Sequence, residues 1–152
     1  MTLLLVILGG AVGAPLRYLT DQAVNARHAS VFPFGTLAVN ATGSLVLGFV
    51  AGLASVHAVP AWVLALLGTG FCGALTTFST FGYETVRLVE DGSFVEAALN
   101  VVVSLGVGLV AVLALLSLPP GAPLRNPATG ALIGQSPFMD SLVFLIMLVF
   151  LF

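Results

Sequence analysis

The sequence contains very little charge and no lysine at all. Four arginines and six acids make up 7% of the 152 residues, whereas an average soluble domain has about 25% charged residues. The net charge of -2 provides no basic surface for phosphate groups, which excludes a nucleic-acid-binding protein. With 59% hydrophobic residues and a mean hydropathy of +1.18, the chain is predicted to be an integral membrane protein.

Residues that carry enzyme chemistry are equally scarce. The single cysteine, Cys72, excludes an intramolecular disulfide, and its place in an apolar run is typical of a small packing residue. His28 and His57 fall in separate predicted loops, and no paired carboxylates or HExxH-like spacing occur. The sequence therefore predicts a protein that is not an enzyme. Its acids lie mainly at segment ends, which argues against a pump that titrates a carboxylate in mid-membrane.

Four apolar segments are each long enough to cross the roughly 20-residue bilayer core. They cover residues 2–19, 35–55, 61–89 and 94–118, with a loop predicted at 20–34. The first segment lacks the basic start and the cleavage site of a secretory signal, so we interpret it as a retained helix.

Small and polar residues recur at four-residue spacing in three of these segments, which places them on one face of each helix. They are Gly9 and Gly13 in the first segment, Asn40, Ser44, Gly48 and Gly52 in the second, and Asn100, Ser104 and Gly108 in the fourth. Such faces either pack against another helix or surround a polar interior. The Asn40 amide fits both interpretations, as a link between helices or a contact to a solute.

The stretch GTGFCGALTTFSTF, residues 68–81, is the most unusual part of the third segment. Three glycines precede a run of hydroxyl residues and two phenylalanines, which predicts a helix interrupted near its middle, with exposed backbone carbonyls. Helix breaks of this kind can hold ions at membrane depth. The stretch also matches GxGxxG, but a dinucleotide site needs a strand and a βαβ unit, and neither fits a membrane segment.

The last part of the chain differs from the rest. PPGAP is typical of a linker, a polar loop follows, and residues 138–152 are apolar with one acid, Asp140. Fifteen residues are too few for a spanning helix. We expect a membrane unit at 1–118 and a separate extension at 119–152, which is either an interfacial or re-entrant tail or part of a fifth span.

Three motifs resemble the CrcB/Fluc fluoride channels: GGAVGAPLRY at 9–18, FGTLAVNATGSLVLG at 34–48 and GTGFCGALTTFSTFGYET at 68–85. The resemblance covers residues 1 to about 118. It implies an all-α, four-helix membrane subunit with a broken third helix, paired as an antiparallel, dual-topology homodimer. It further implies a multi-pass protein of the bacterial cell membrane that exports fluoride passively down its gradient and so protects the cell from fluoride toxicity.

The same resemblance implies roles for individual residues. Asn40 would hydrogen-bond fluoride, and Phe78 and Phe81 would face it with their ring edges. The polar lining of two pores at the dimer interface would include Thr77, Ser79, Thr80 and Ser104, while Arg17 and Glu84 would lie near the pore mouths. Backbone carbonyls around Gly73 and Thr76 would hold a structural sodium ion on the two-fold axis. At the end of the third segment and in the following loop, a solvated helix face accounts for most of a charged cluster formed by Glu84, Arg87, Glu90, Asp91 and Glu96.

Two other functions stay open at this point. One is a structural membrane protein whose small-residue faces only assemble a complex. The other is a coupled exporter of a small solute, with the C-terminal extension as an additional helix.

Overall fold

The structure is a computed structural model that describes residues 1–28, 30–56 and 59–116. These residues form helices and no strand. The elements are α1 (Thr2–Asn25), α2 (Phe34–Val56), α3 (Ala61–Val63), a π-helix (Leu64–Cys72), α4 (Gly73–Leu75), α5 (Phe78–Glu90) and α6 (Phe94–Leu116). The extension predicted at 119–152 lies outside the described residues.

Three stretches are long and apolar enough, by length and composition, to cross a membrane: Thr2–Asn25, Phe34–Ala51 and Ala61–Glu90. A shorter apolar stretch, Phe94–Gly108, lies in α6. The third span combines α3, the π-helix, α4 and α5. The described part is therefore an all-helical, multi-pass membrane protein, as the composition predicts.

Helix α1 is longer than the sequence analysis predicts, and the loop expected to begin at residue 20 begins after Asn25. The prediction followed apolarity, which ends before the helix does. The last turns are polar and remain helical, with Asn25 Nδ2 donating to Asp21 Oδ1 at 3.0 Å. Asn25 Oδ1 also accepts from the backbone N–H of Gly35 at 3.1 Å. This side chain therefore satisfies one of the unpaired donors in the first turn of α2.

The GxxxG pair of α1 packs directly against the backbone of the π-helix. A Cβ atom at Gly9 would overlap the carbonyl oxygen of Leu66, and one at Gly13 would overlap that of Phe71. Gly70 approaches α1 in return, since its Cβ would lie 2.8 Å from the carbonyl oxygen of Val6. Of the two interpretations of such faces, packing against another helix applies to Gly9 and Gly13, and the partner helix is the third span of the same chain.

The exterior of the bundle is more apolar than that of a soluble protein. Large apolar side chains on the outside of the helices are exposed, including Leu4, Val12, Phe49 and Val102. The buried polar residues are Thr36, Asn40, Ser44, Thr76, Thr77, Asn100 and Ser104. Apolar side chains such as Val39, Leu75 and Leu88 are buried as well. This distribution suits a bundle whose exterior meets lipid or another apolar surface and whose interior is partly polar.

Candidate functional site

The third span is broken at Thr76 and Thr77. Both residues have extended backbone, with φ/ψ of −81°/159° at Thr76 and −152°/120° at Thr77. Two of the three glycines that predict a break, Gly68 and Gly70, lie instead in a continuous π-helix, Leu64–Cys72, and Gly73 begins α4. The predicted interruption is therefore present, but it lies in the hydroxyl run on the C-terminal side of the glycines.

The amide of Asn40 braces this break from α2. Its Oδ1 accepts from the Thr77 backbone N–H at 2.7 Å, and its Nδ2 donates to the Thr77 carbonyl oxygen at 3.1 Å. Asn40 is buried, with 6% of its surface exposed. One amide thus pairs with both backbone groups of the residue that leaves the helix, and one N–H of its Nδ2 remains beyond these two bonds.

The break also removes the helical partners of two carbonyl groups. In an uninterrupted α-helix, the Gly73 carbonyl would accept from the N–H of Thr77, and the Thr76 carbonyl from the N–H of Thr80. The first N–H donates to Asn40 instead, and the second donates to Thr77 Oγ1 at 3.3 Å. The carbonyls of Gly73 and Thr76 have therefore lost their normal helical donors.

Three hydroxyl groups meet at the N-terminus of α5. Thr77 Oγ1 lies 2.9 Å from Thr80 Oγ1 and 3.4 Å from Ser79 Oγ. Thr77 is the N-cap of the helix and is buried, Thr80 is half-buried and Ser79 is exposed. The structure thus brings together the three hydroxyl residues that the family resemblance places in a polar lining.

Phe78 and Phe81 are neighbours on α5. Their ring centroids are 6.2 Å apart and the rings are tilted by 35°. Phe81 is 7% exposed, whereas Phe78 is 57% exposed in the single chain. One ring of the pair therefore belongs to the subunit interior, and the other is presented at its surface.

Ser104 lies on α6, across a small cavity from Asn40. The cavity offers about 10 Å³ to the centre of a water-sized particle, and its walls are Leu37, Asn40, Ala41, Ser44, Ser104 and Val107. Ser104 is 6% exposed. Two of the predicted pore residues, on different helices, thus share one small cavity.

Glu84 differs from the solvated acid that its position near the end of the third segment suggested. It is half-buried, and its neighbours include the Thr36 side chain and the acidic Asp21. Among the described residues, its buried Oε2 has no hydrogen-bond partner. Sequence spacing alone does not indicate this partial burial.

Arg17 is half-buried on α1. Arg17 and Glu84, both described residues, do not form an ion pair with each other. Within the described ranges, the ion pair joins Arg87 Nε and Asp91 Oδ2 at 3.8 Å, on exposed side chains. The two residues predicted for the pore mouths are therefore not joined to each other in the single chain.

Sequence reasoning did not assign a site role to three buried or half-buried polar residues. Asn100 Nδ2 donates to Thr85 Oγ1 at 2.9 Å, and that hydroxyl donates to the Phe81 carbonyl oxygen at 2.7 Å. The four-residue spacing on α6 had already marked Asn100 as part of a polar face. Thr36, which contacts Glu84, had no such pattern to mark it.

Comparison with known proteins agrees with this architecture. The model of the family described as "CrcB-like protein, Camphor Resistance (CrcB)" matches residues 4–116. The chain is 61% identical over 106 residues to "Fluoride-specific ion channel FluC 1" of Frankia casuarinae, covering 66% of this chain and 82% of that relative. It is 55% identical over 114 residues to the protein of the same name in Streptomyces avermitilis, covering 75% and 92%.

A more distant relative, "Fluoride-specific ion channel FluC" of Shewanella sp. (strain ANA-3), is 47% identical over 107 residues, covering 70% of this chain and 86% of the relative. The matched region contains the broken third span, the Asn40 brace and the paired phenylalanines. The chain therefore belongs to the CrcB-like family.

Proposed function

We propose that this chain is a fluoride-selective ion channel that exports fluoride passively down its electrochemical gradient and protects the cell from fluoride toxicity. The observation that carries the proposal is its 47–61% identity, over most of each relative, to proteins named fluoride-specific ion channels. A channel of this kind moves an ion without forming or breaking covalent bonds, so the protein is not an enzyme.

The chemistry of the polar interior suits a small anion. Fluoride is strongly hydrated, and moving it into a membrane is costly unless hydrogen-bond donors replace its water. The buried polar groups at the break are neutral amides and hydroxyls, including Asn40, Thr77 and Ser104. Neutral donors stabilise an anion without the tight attraction of a fixed cation, so the ion can also leave.

The rings of Phe78 and Phe81 would add a second kind of contact. The edge of a phenyl ring carries the positive part of its quadrupole, so it can face an anion without holding it strongly. We propose that the two rings contact fluoride by their edges. The hydroxyls of Thr77, Ser79 and Thr80 would continue the polar lining around the N-terminus of α5, with Arg17 and Glu84 near the pore mouths.

A homodimer would complete the pathway, and we propose the antiparallel, dual-topology form with two pores at the interface. The exposed ring of Phe78 and the exposed hydroxyl of Ser79 support this arrangement. Both residues adjoin the buried polar groups of the break, and a second copy would enclose them. Because the relatives named above are bacterial proteins, we place the dimer in the cell membrane of a bacterium.

The break also fits a structural sodium ion. The carbonyl oxygens of Gly73 and Thr76 have lost their helical donors, and hard cations prefer such oxygen ligands. We propose that these two carbonyls from each copy hold sodium on the two-fold axis. Bound there, the ion would supply positive charge that offsets the exposed carbonyl dipoles and ties the two broken helices together.

The division into a channel unit at 1–118 and an extension at 119–152 remains a prediction. The family match ends at residue 116, which supports a boundary near that point. The extension would then be dispensable for conduction.

Fluoride efflux from liposomes tests the proposed function against the two alternatives. Purified protein should release fluoride, read with a fluoride electrode, at a rate that does not depend on an imposed proton gradient. An assembly protein would release none. A coupled exporter would show a rate that follows the proton gradient, and that result would overturn the channel.

A further inference from the structure

The hydroxyl of Ser44 is a buried polar group that the pathway described above does not use. It lies in the wall of the cavity between α2 and α6, together with Asn40 and Ser104. The exposed fractions of these three residues are 4%, 6% and 6%. Each is thus more than nine-tenths buried and adjoins the same small space.

The three polar groups converge from two helices. Asn40 and Ser44 are four residues apart on α2, so they are neighbours on one face of the helix. Ser104 approaches from α6 on the other side of the cavity. The rest of the wall is apolar, formed by Leu37, Ala41 and Val107, and no charged side chain takes part.

The Ser44 hydroxyl is available to an occupant of this cavity. A serine or threonine inside a helix commonly donates to the carbonyl four residues earlier, as Thr76 does to Cys72 at 3.0 Å. In the part of the chain that the structure describes, neither Ser44 nor Ser104 forms such a bond. Within these ranges, both hydroxyls thus keep a donor for a hydrogen-bonding occupant of the cavity.

The size of the cavity limits what can occupy it. About 10 Å³ is open to the centre of a water-sized particle, close to the minimum that one water molecule requires. Fluoride is similar to water in size, whereas chloride is larger and would have to displace the apolar wall. The cavity therefore suits a single small particle that accepts hydrogen bonds.

We propose that Ser44 is a fluoride-binding residue of this channel, acting in the α2–α6 cavity with Ser104 and the remaining N–H of Asn40. The inference rests on the proposed fluoride function. The ion moves along α2 from Asn40 to the next turn, where the Ser44 hydroxyl replaces one water of its hydration shell. Because each donor is neutral, the ion exchanges among them without being trapped.

The Ser44→Ala variant tests this role by removing one oxygen atom and little else. Fluoride efflux from liposomes should slow by about tenfold or more, as expected for losing one hydrogen bond to an ion. The matched control is Thr42→Ala, on the exposed side of the same helix, which should conduct like the wild type. If Ser44→Ala does not fold, Ser44→Cys takes its place in the experiment, because it keeps the shape of the side chain and exchanges the hydroxyl for a weaker S–H donor.

A double variant separates ion binding from packing. If Ser44 and Ser104 bind the same ion, Ser44→Ala combined with Ser104→Ala should slow efflux by less than the product of the two single effects. The fluoride concentration that gives half-maximal rate should also rise in Ser44→Ala. A serine that serves only to pack, or to hold a structural water, would change thermal stability and leave that concentration unchanged.

The outcomes distinguish this inference from the function on which it rests. Wild-type protein that releases no fluoride would overturn the proposed function and the role of Ser44 with it. Wild-type protein that conducts, with Ser44→Ala equal to it in rate and in concentration dependence, would overturn the role of Ser44 alone.

Discussion

The contact between α1 and the π-helix (the α1 seam) and the contact between α2 and α6 (the α6 seam) have similar patterns in the sequence and different structures. Both contain small residues four positions apart. In the α1 seam, Gly9 and Gly13 bring one backbone against another, and no room remains for a single methyl group. In the α6 seam, Asn40, Ser44 and Ser104 stand around a water-sized cavity.

Four-residue spacing alone therefore does not distinguish helix faces that pack tightly from helix faces that line a polar pathway. Glycine lets backbones touch, which fixes the position of the third span against α1. Serine and asparagine hold the helices slightly apart and direct donors into the gap. The third span lies against both α1 and α2. Its tight contact with α1 fixes the position of the break, and the side of the break that faces α2 meets the polar Asn40.

The largest effect is expected where the α1 seam is disrupted. Gly9→Ala would force a Cβ atom onto the Leu66 carbonyl oxygen and against two further backbone atoms of the third span. Because backbone cannot move aside as the end of a side chain can, the cost should exceed the roughly 1–3 kcal/mol of ordinary overpacking. We expect most of the protein to be lost to aggregation, measured as the yield of monodisperse protein in size-exclusion chromatography.

Gly10→Ala is the matched control for that substitution. The nearest atom to its new Cβ would be the Ala74 Cβ at 3.8 Å, an ordinary contact. Its yield and thermal stability should equal those of the wild type or exceed them slightly, because alanine favours a helix. Equal damage from both substitutions would show that the seam is not set by backbone contact at Gly9.

The next largest effect is expected from removing the brace at the break. Asn40→Leu would leave the N–H and the carbonyl of Thr77 without their partners, at about 1–3 kcal/mol for each buried group. Thermal stability should fall, and fluoride efflux should drop by at least a hundredfold because the pathway also loses a donor. A stable, conducting Asn40→Leu channel would show that neither the brace nor the donor is needed.

Phe78→Ile should separate conduction from stability. The ring is 57% exposed in the single chain, so its loss should change the unfolding temperature little, while fluoride efflux should fall by at least tenfold. Phe49→Ile is the control, since Phe49 is 64% exposed on α2 and is not assigned to the pathway. Similar rates for the two variants would remove Phe78 from the pathway.

The smallest effect is expected at the C-terminal end. A chain that ends at Leu118 retains all of the residues that the family model matches. Its fluoride efflux per milligram of protein should equal that of the full chain within about twofold. A shortened chain that folds but does not conduct would show that the extension is part of the channel.

Composition and spacing predicted the helical membrane fold, the second and fourth helices and the presence of a break in the third. They missed the end of α1, because its final turns are polar and Asn25 stabilises them through hydrogen bonds to Asp21 and Gly35. They placed the break only approximately, since glycine content does not distinguish a π-helix from an interruption. The break at Thr76 and Thr77 depends on Asn40, which is distant in sequence.

The candidate site was less predictable than the fold. Motif resemblance indicated Asn40, Phe78 and the hydroxyl run, but hydrogen-bond partners depend on how three helices meet. Glu84 was grouped with solvated acids because only its position along the chain was visible. The contact with Thr36 appears only when α2 and α5 are packed.

Fluoride selectivity is tested by measuring fluoride and chloride efflux in parallel from liposomes that contain the wild-type protein. A selective channel lined by neutral donors predicts rapid fluoride release with chloride release no faster than from empty liposomes. Equal release of the two ions, or no fluoride release from folded protein, would contradict it.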